Sequence, residues 1–398
     1  MTGWRDPAMS LDGRSVLALN LGSTGLKAVG YSLTNTPASR PRDAMEAVRV
    51  RVQTPRDSAA TAEHDAWDWL DAVARQLPHF QQNPDVIVHR IVHGGDRDGP
   101  MELTPETLTE LQALAPLAPL HQPPALALVR AAIRRWPTAR QLGAFDTSWH
   151  QTMPEKHRLF PIPYALFSDG VKRYGFHGLA FQSAMRQLST IAPEFSAGRV
   201  VLAHLGGGSS LCAVLDGKCV ATTMGMTPLG GIGMSSRSGS LDPGVLLHLQ
   251  RSIGMSPDEI DNLLWRDSGL KGLSGESGDM RKLLASGSAG ARRAIEVYVS
   301  DVVQGIAAMA ACIEGCDALI FSGGIGTHGA EVRARVTSGL RWMGVEIDPA
   351  LNGSSALNIS HATAAISTFV LHVDEEQEMV GAVAMLELQE DQQSQRLS

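Results

Sequence analysis

The chain is poor in several features that define common protein classes. Only 4 of its 398 residues are cysteine, 5% are aromatic, and the 34 basic residues are outnumbered by 41 acidic ones. Cys212, Cys219, Cys312 and Cys316 show neither a disulfide framework nor a zinc-ligand spacing, and the last two lie in an apolar helical stretch that favours core packing. The net charge of −7 argues against nucleic acid or an anionic membrane as the main partner.

An uninterrupted apolar run that could span a membrane is also missing. The best candidate, from Tyr298 to Cys316, contains Asp301, Gln304 and Glu314, which predicts a buried core helix. The first fourteen residues, MTGWRDPAMSLDGR, carry charges and a proline where a secretory signal has its apolar segment. We therefore expect a cytoplasmic protein without a membrane partner.

What the chain has in quantity is glycine, with 40 residues that mostly form short clusters. Such clusters favour tight turns and close approach of a ligand to the backbone. The length exceeds what one hydrophobic core usually supports, which predicts two domains.

An internal repeat supports this division. Residues 15–29 (SVLALNLGSTGLKAV) and 200–214 (VVLAHLGGGSSLCAV) share an apolar strand, one polar residue (Asn20 or His204), Leu-Gly, a small-residue turn and a second strand. The second copy has one extra turn residue. The pattern predicts a duplicated α/β domain, each copy opening with a strand–turn–strand phosphate loop; the alternative is chance similarity of two buried hairpins.

Other segments extend the α/β pattern. Buried strands are predicted at 86–95 (VIVHRIVHGG) and within 140–154, where Asp146 follows the apolar part, and residues 317–336 predict a strand, a glycine-rich turn and a helix. Ligands of such sheets bind outside the strand ends. A domain boundary is expected near 150–160, and a last helix from about Glu375 is expected to return to the first domain.

Several side chains could carry chemistry. The turn from Asn20 to Lys27 offers backbone N–H groups, hydroxyls and a cation for phosphate, although neither it nor GGIGTHG matches a Walker A loop or a dinucleotide fingerprint. Arg90, at the end of a buried strand, requires an anionic ligand or a protein carboxylate. Arg237, on a Gly/Ser loop, suits bidentate contact with phosphate or carboxylate, and a salt bridge to Asp242 is the alternative.

Two acids and two histidines are weaker candidates when taken alone. Asp146 and Glu375 could serve Mg²⁺, but isolated acids are more often solvated or capping groups. His121 and His177 are flanked by glycine, proline and aromatic residues, where a histidine usually has a structural role.

Together these segments make the chain resemble the acetate kinase (acetokinase) family from about residue 15 to 386. The matching motifs occur in order: LNLGSTGLK, HRIVHGG, APLHQPP, FDTSWHQTMP, YGFHG, HLGGGSS, TPLGGIGMSSRSGSLDP, SGDMR, GGIG and DEE. The resemblance implies an α/β fold of two duplicated RNase-H/actin-like (ASKHA) domains with an interdomain active-site cleft, usually in a homodimer. We expect an N-terminal extension (1–14), a first domain (15–152 plus about 376–398) and a nucleotide-binding second domain (153–375).

The resemblance also implies roles for individual residues. The expected catalytic residues are Arg90, Asp146, His177 and Arg237. The acetate side is expected to use Arg90, Val92, Leu120, His121, Phe176 and Pro228, and the metal side Asn20 and Glu375. The nucleotide and phosphates are expected to be bound by Ser23, Lys27, His204, Gly206, Gly207, Gly208, Asp279, Met280, Arg281, Gly324, Ile325, Gly326 and His328.

The implied function is acetate kinase: reversible in-line phosphoryl transfer between ATP and acetate that yields acetyl phosphate and ADP, with Mg²⁺ or Mn²⁺. Departures from the family pattern include Gly25, Gly207 and Gly230, the segment Leu179-Ala180-Phe181, and His328 in place of an asparagine. They leave open a propionate- or butyrate-type kinase, a pyrophosphate-using kinase and a non-catalytic descendant of the family.

Overall fold

The structure is a computed structural model that describes residues 14–22, 25–33, 45–53, 63–77 and 83–397. Its strands are β1 (Ser15–Gly22), β2 (Gly25–Leu33), β3 (Met45–Val52), β4 (Val86–Ile91), β5 (Met101–Glu102), β6 (Arg140–Phe145), β7 (Arg199–Leu205), β8 (Ser209–Leu215), β9 (Lys218–Thr222), β10 (Ala318–Ser322) and β11 (Ser367–Val370).

The α-helices are α1 (Glu63–Gln76), α2 (Pro105–Ala113), α3 (Gln122–Arg135), α4 (Glu155–Arg158), α5 (Ala165–Ser168), α6 (Gly178–Ile191), α7 (Pro243–His248), α8 (Pro257–Arg266), α9 (Gly269–Ser274), α10 (Met280–Ser286), α11 (Ala289–Cys312), α12 (Gly323–His328), α13 (Ala330–Gly339), α14 (Pro349–Gly353) and α15 (Glu375–Leu397). Short 3₁₀ helices cover Ala115–Leu117, Ser148–Thr152, Pro193–Phe195 and Arg341–Met343, and Leu249–Ile253 is a π-helix.

The chain divides into two compact units, residues 1–148 with 374–398 and residues 149–373. The expected boundaries lay a few residues later, after 152 and 375. Residues 149–152 belong with the second unit because His150 Nε2 donates to Phe176 O (2.9 Å) and Thr152 Oγ1 donates to Cys219 O (2.9 Å). Asp374 belongs with the first unit because it pairs with Arg49 of β3. Most of the expected N-terminal extension lies outside the described residues.

The first unit is built on a six-stranded sheet in the order β3-β2-β1-β4-β6-β5. β1, β2 and β3 form an antiparallel meander, whereas β4 and β6 run parallel to β1. Because successive side chains of a strand point to opposite faces, Leu17 and Leu19 pack against α1 and α3 on one face. Asn20 of β1 therefore lies on the other face, where it contacts α15. The predicted return of the last helix to the first unit is confirmed.

The second unit has a five-stranded sheet in the order β11-β10-β7-β8-β9. Read from β9, it again consists of a three-stranded antiparallel meander followed by two strands parallel to the first, β10 and β11. The two repeat segments are the β1–β2 and β7–β8 hairpins, whose turns contain two and three residues. The predicted duplicated α/β fold is confirmed.

The second sheet is covered on both faces. Val201 and Ala203 of β7 share a core with Tyr298 and Val302 of α11, while Leu202, of opposite orientation, packs with α6. By length and composition α11 could cross a membrane, but its buried face forms part of this core, as predicted for that stretch. The half-buried Cys312 and Cys316 also pack against this core, which confirms their predicted packing role.

The glycine-rich segment after β10 differs from the prediction. The structure has no separate turn there: α12 begins at Gly323, whose φ of +77° only glycine adopts without strain. A Cβ on Gly323 would also lie 2.5 Å from Leu205 O. Glycine thus allows the chain to pass directly from the strand into a helix beside β7.

A buried arginine secures the end of α12. Arg333 of α13 is fully buried, and its guanidinium donates to Gly326 O (2.7 Å), Thr327 O (2.9 Å), Asn352 Oδ1 (2.8 Å) and Asn352 O (2.7 Å). Gly326 O and Thr327 O are acceptors that the short helix α12 leaves unpaired at its C-terminus. The two Asn352 acceptors belong to the neighbouring helix α14. The guanidinium therefore joins α12, α13 and α14.

We expect Arg333→Met to lower the free energy of unfolding by roughly 2–4 kcal/mol, because it leaves several buried carbonyl groups without a donor. Arg335→Met is the matched control: Arg335 is exposed on the same helix and pairs with Glu331, an interaction worth less than about 0.5 kcal/mol. Chemical denaturation of the three proteins measures the difference. Equal stability of the two variants would contradict the structural role.

Candidate functional site

In the first unit, polar groups from four elements meet around Asn20. Asn20 Nδ2 donates to Glu375 Oε2 (2.8 Å) and Glu376 Oε1 (2.6 Å), and Asn20 Oδ1 accepts from Arg90 Nη1 (3.2 Å). Lys27 Nζ lies 3.7 Å from Glu376 Oε1. Parallel pairing of β1 with β4 places Asn20 beside Arg90, and α15 begins with the two glutamates. The structure thus brings together Asn20, Lys27, Arg90 and Glu375, four of the predicted site residues.

Arg90 has protein carboxylates as partners. Its Nε and Nη2 donate to Asp146 Oδ1 (3.0 Å) and Oδ2 (2.7 Å), a bidentate contact, and its Nη1 lies 3.2 Å from Glu375 Oε2. Burial acts to lower the pKa of Arg90, but the charges of Asp146 and Glu375 outweigh it and raise the pKa above its usual value. The sequence predicted either an anionic ligand or a protein carboxylate as the partner of Arg90, and the structure shows protein carboxylates.

The donor set of this cluster suits a hard divalent cation. Asp146, Glu375 and Glu376 are buried carboxylates, and the cations beside them are Arg90, the partly exposed Lys27 and the exposed Arg49. Mg²⁺ prefers oxygen ligands, carboxylates among them, and it needs only one or two protein carboxylates. The residues present therefore fit the metal predicted for Asn20 and Glu375. Ser23, predicted to bind phosphate, lies outside the described residues.

In the second unit, two histidines lie beside the glycine loop 206–208. His177 Nδ1 and Ser210 Oγ are 2.9 Å apart, and the rings of His177 and His204 have centroids 4.8 Å apart. His177 has φ +60°, a left-handed conformation that is uncommon outside glycine and often marks functional positions. It immediately precedes α6, so the conformation turns the chain from the YGFHG motif into the helix.

Arg237 approaches the same loop. A Cβ on Gly208 would lie 3.1 Å from His177 Nε2 and 3.6 Å from Arg237 Nη1, and Ser235 N donates to Gly207 O (3.3 Å). A side chain at 208 would crowd His177, whereas its distance to Arg237 is an ordinary contact, so glycine favours the close approach of His177 in particular. The structure brings together His177, His204, Arg237 and the loop 206–208, which were predicted to share one site.

The environment of Arg237 is largely apolar. The side chain is buried, Nη1 donates to Pro228 O (2.9 Å), and the guanidinium lies 5.6 Å from the centre of the Trp265 ring. Burial lowers the pKa of Arg237 to about 10, so it remains charged at neutral pH. The alternative partner Asp242 instead caps α7 by accepting from Gly244 N (2.8 Å). A buried guanidinium in such surroundings binds an anion strongly.

The predicted nucleotide residues occupy two further places in the second unit. Asp279 caps α10 by accepting from Arg281 N (3.0 Å) and also pairs with the exposed Arg281 side chain, while Met280 is buried. The other predicted residues lie on α12, and a Cβ on Gly206 would be 3.8 Å from Gly324 N. The loop 206–208 and the start of α12 are therefore neighbours; α12 contains Gly324, Ile325, Gly326 and His328.

The predicted acyl pocket remains a prediction. Val92, Leu120 and His121 belong to the first unit, whereas Phe176 and Pro228 belong to the second. Val92 and Phe176 are buried.

Three contributors were not predicted from the sequence. Glu376 bonds to Asn20, Ser210 orients His177, and Gln122 holds the HRIVHGG segment by bonding to both His93 N (3.2 Å) and His93 O (2.9 Å). Glu376 and Gln122 lie within the DEE and APLHQPP motifs, so those motifs were the available signal. Ser210 is the last residue of the HLGGGSS motif, which was likewise the available signal.

Comparisons with known proteins find a matching family and similar structures. The sequence model of the acetokinase family matches residues 15–381. The chain is 42% identical over 386 residues to the acetate kinase of Methylocella silvestris, covering 91% of this chain and 95% of that protein. Its structure is similar to a propionate kinase from Francisella tularensis (TM-score 0.80, 30% identity, 93% and 98% of the two chains). It is also similar to an acetate kinase from Porphyromonas gingivalis (TM-score 0.76, 30% identity, 94% and 100%).

Next to Arg90 on β4, His89 points to the opposite face of the sheet. It is buried, its Nε2 lies 2.8 Å from Gln141 Oε1, and its Nδ1 is among the described buried atoms without a partner. Burial lowers the pKa of His89 to about 4. The folded state therefore binds fewer protons than the unfolded state below pH ~6.5, and stability falls as the pH drops from there towards about 4.

We expect the wild type to lose up to about 2 kcal/mol more stability than His89→Gln between pH 7 and pH 5, because only the wild type must keep a buried imidazole neutral. Denaturant titrations at both pH values measure this. His248→Gln, at an exposed histidine, is the control and should follow the wild type. The same pH dependence in His89→Gln as in the wild type would contradict the assignment.

Proposed function

The chain belongs to the acetokinase family, and on that premise we propose that it catalyses reversible phosphoryl transfer between ATP and acetate to give acetyl phosphate and ADP. The observation that carries the proposal is the approach of Arg237 and His177 to Gly208 in the glycine loop. Both side chains can bind anionic oxygens, and the glycine loop that they approach offers backbone groups suited to phosphate.

The acceptor needs little activation. Carboxylates titrate near pH 4, so acetate is already ionised and nucleophilic at neutral pH, and no general base is required. Phosphoryl transfer depends on positioning and on stabilisation of charge in the transition state. We propose direct in-line attack of an acetate oxygen on the γ-phosphorus. A sugar kinase, by contrast, needs a carboxylate base for its hydroxyl acceptor.

The predicted site residues of the second unit each have a role in this scheme. The buried guanidinium of Arg237 stabilises negative charge on the transferred phosphoryl group. With the Ser210 hydroxyl donating to Nδ1, the imidazole of His177 carries its proton on Nε2 and donates a hydrogen bond from there to the same group. His204, the loop 206–208, Asp279, Met280, Arg281 and the α12 residues bind the nucleotide.

In the first unit, Arg90 orients the acyl carboxylate, and the Asp146 and Glu375 carboxylates keep its guanidinium in place. Asn20, Asp146 and Glu375 are the residues that would hold Mg²⁺ or Mn²⁺. When bound, the metal supplies charge neutralisation at the phosphate oxygens. We further propose that the protein acts in the cytoplasm as a homodimer on these small molecules, without nucleic-acid or membrane partners.

Two variants of this function have specific support. The similarity to a propionate kinase structure makes propionate a second candidate acceptor. The altered loop residue Gly207 and His328 make pyrophosphate a second candidate donor. A non-catalytic role has less support, because Arg90, Asp146, His177, Arg237 and Glu375 are all present.

A hydroxylamine trap tests the proposal. Purified protein is incubated with Mg²⁺, one donor (ATP or pyrophosphate) and one acceptor (acetate, propionate or butyrate), and the acyl phosphate is measured as its hydroxamate. We expect the fastest formation with ATP and acetate. No hydroxamate from any pair would leave the non-catalytic alternative, and a preference for butyrate would contradict the acyl assignment.

Arg237→Ala is expected to lower kcat well over tenfold, since one contact to developing charge is worth roughly 3 kcal/mol. Arg251→Ala, at an exposed arginine of the π-helix, serves as the control and should keep its turnover. Both rates come from the hydroxamate assay, with circular dichroism as a check on folding. Wild-type kcat in folded Arg237→Ala would exclude this role.

Val92→Ala is expected to shift acceptor preference towards propionate, because it removes two methyl groups from the proposed acyl pocket. One methylene changes discrimination by about 1–3 kcal/mol, so the ratio of kcat/KM values for propionate and acetate should rise roughly tenfold. Val48→Ala, at an exposed valine of β3, is the control. An unchanged ratio in Val92→Ala would remove Val92 from the pocket.

A further inference from the structure

We propose that His150, Cys212 and Cys219 form a binding site for a thiophilic d¹⁰ cation, Zn²⁺ or Cu⁺, separate from the proposed Mg²⁺ residues. The three side chains come from the 3₁₀ helix Ser148–Thr152, from β8 and from β9, and all three are buried. Their candidate ligand atoms lie within 4.8 Å of one another.

The spacing of the donor atoms is close to that of a filled site. Cys219 Sγ lies 3.1 Å from His150 Nδ1 and 3.5 Å from Cys212 Sγ. Two sulfurs at ~2.3 Å from a tetrahedral Zn²⁺ are about 3.8 Å apart, and a sulfur and an imidazole nitrogen about 3.5 Å apart. For these two pairs, shifts of a few tenths of an ångström reach the spacing of a filled site, and His150 Nδ1 and Cys212 Sγ lie within 4.8 Å of each other.

The imidazole of His150 is oriented as a ligand. Its Nε2 lies 2.9 Å from the carbonyl oxygen of Phe176, which can only accept, so Nε2 carries the proton. Nδ1 is then the unprotonated nitrogen, and this is the atom that lies against Cys219 Sγ. Metal-ligating histidines commonly donate their other N–H to a backbone carbonyl in this way.

The ligand chemistry selects the class of metal. Two thiols and one imidazole are soft or borderline donors that favour Zn²⁺ and Cu⁺ over Mg²⁺. Three donors complete a trigonal site for Cu⁺, whereas Zn²⁺ requires a fourth ligand. Binding displaces the two thiol protons to solvent, so the pair contributes two thiolates.

The site would fix a segment next to the proposed chemistry. Phe176, which receives the His150 hydrogen bond, directly precedes His177 and its left-handed backbone. A bound cation would hold His150 in place and thereby stabilise the turn that positions His177. The role is structural, and it does not depend on which acceptor the enzyme uses.

The test measures metal content in the purified, reduced full-length protein. Separate samples are incubated with Zn²⁺, with Cu⁺ under anaerobic conditions, or with Mg²⁺, then desalted and analysed by inductively coupled plasma mass spectrometry. We expect about one Zn²⁺ or Cu⁺ per chain, with both Cys212→Ser and Cys219→Ser losing it. Cys312→Ser and Cys316→Ser, at the two cysteines outside the cluster, are the matched controls and should retain it.

A second measurement does not depend on how the variants fold. Co²⁺ added to the wild type should give the near-ultraviolet charge-transfer absorption of a cobalt–thiolate bond, and Zn²⁺ should abolish it. The proposal would be overturned if folded wild type retained less than a tenth of an equivalent of Zn²⁺ and of Cu⁺ and showed no cobalt–thiolate band. Undiminished binding in folded Cys212→Ser and Cys219→Ser would also overturn it. Either result would leave the cluster as a pair of hydrogen-bonded thiols.

Discussion

The buried guanidinium of Arg90 joins three segments of the first unit that carry polar residues of the candidate site. It connects Asn20 on β1, Asp146 after β6 and Glu375 at the start of α15. These segments are far apart in the chain, and the guanidinium supplies a positive charge beside the buried carboxylates of Asp146 and Glu375. Removing one partner of such a network is costly because the remaining charges stay buried. The same hydrogen bonds to Arg90 hold in place the side-chain oxygens of Asn20, Asp146 and Glu375 that are proposed to bind the metal.

The second unit uses the same sheet topology with different chemistry. Asn20 and Arg90 sit on adjacent parallel strands of the first unit, and His204 and Ser322 occupy the corresponding strands of the second. His204 Nδ1 and Ser322 Oγ are 3.1 Å apart, so a histidine–serine pair occupies the place of the arginine–carboxylate network. Duplication thus supplied one scaffold twice, and the residues at the strand ends account for the different roles proposed for the two units.

Much of the fold was predictable because it follows from local patterns. The repeat of a polar residue, Leu-Gly and a small-residue turn predicted both hairpins, and the apolar runs predicted β4 and β6. Partners set by tertiary packing were not predictable. Arg90 could have paired with a ligand or a carboxylate, and only the register of β4 with β1 and β6 brings Asn20 and Asp146 to it. The proximity of Cys212 and Cys219 similarly depends on the pairing of β8 with β9. The direct entry into α12 depends on Gly323, whose conformation no periodicity reveals.

The central claim is that an acetate oxygen forms the new bond to the phosphorus of the phosphoryl group that ATP donates. It is tested most directly by phosphorus-31 NMR of the acetyl phosphate formed from acetate labelled with oxygen-18 in its carboxyl group. Because the attacking oxygen becomes the bridging oxygen, the account predicts an isotope shift of the acetyl phosphate phosphorus signal. An acetyl phosphate signal without the shift, or no acetyl phosphate from folded protein supplied with ATP and Mg²⁺, would contradict it.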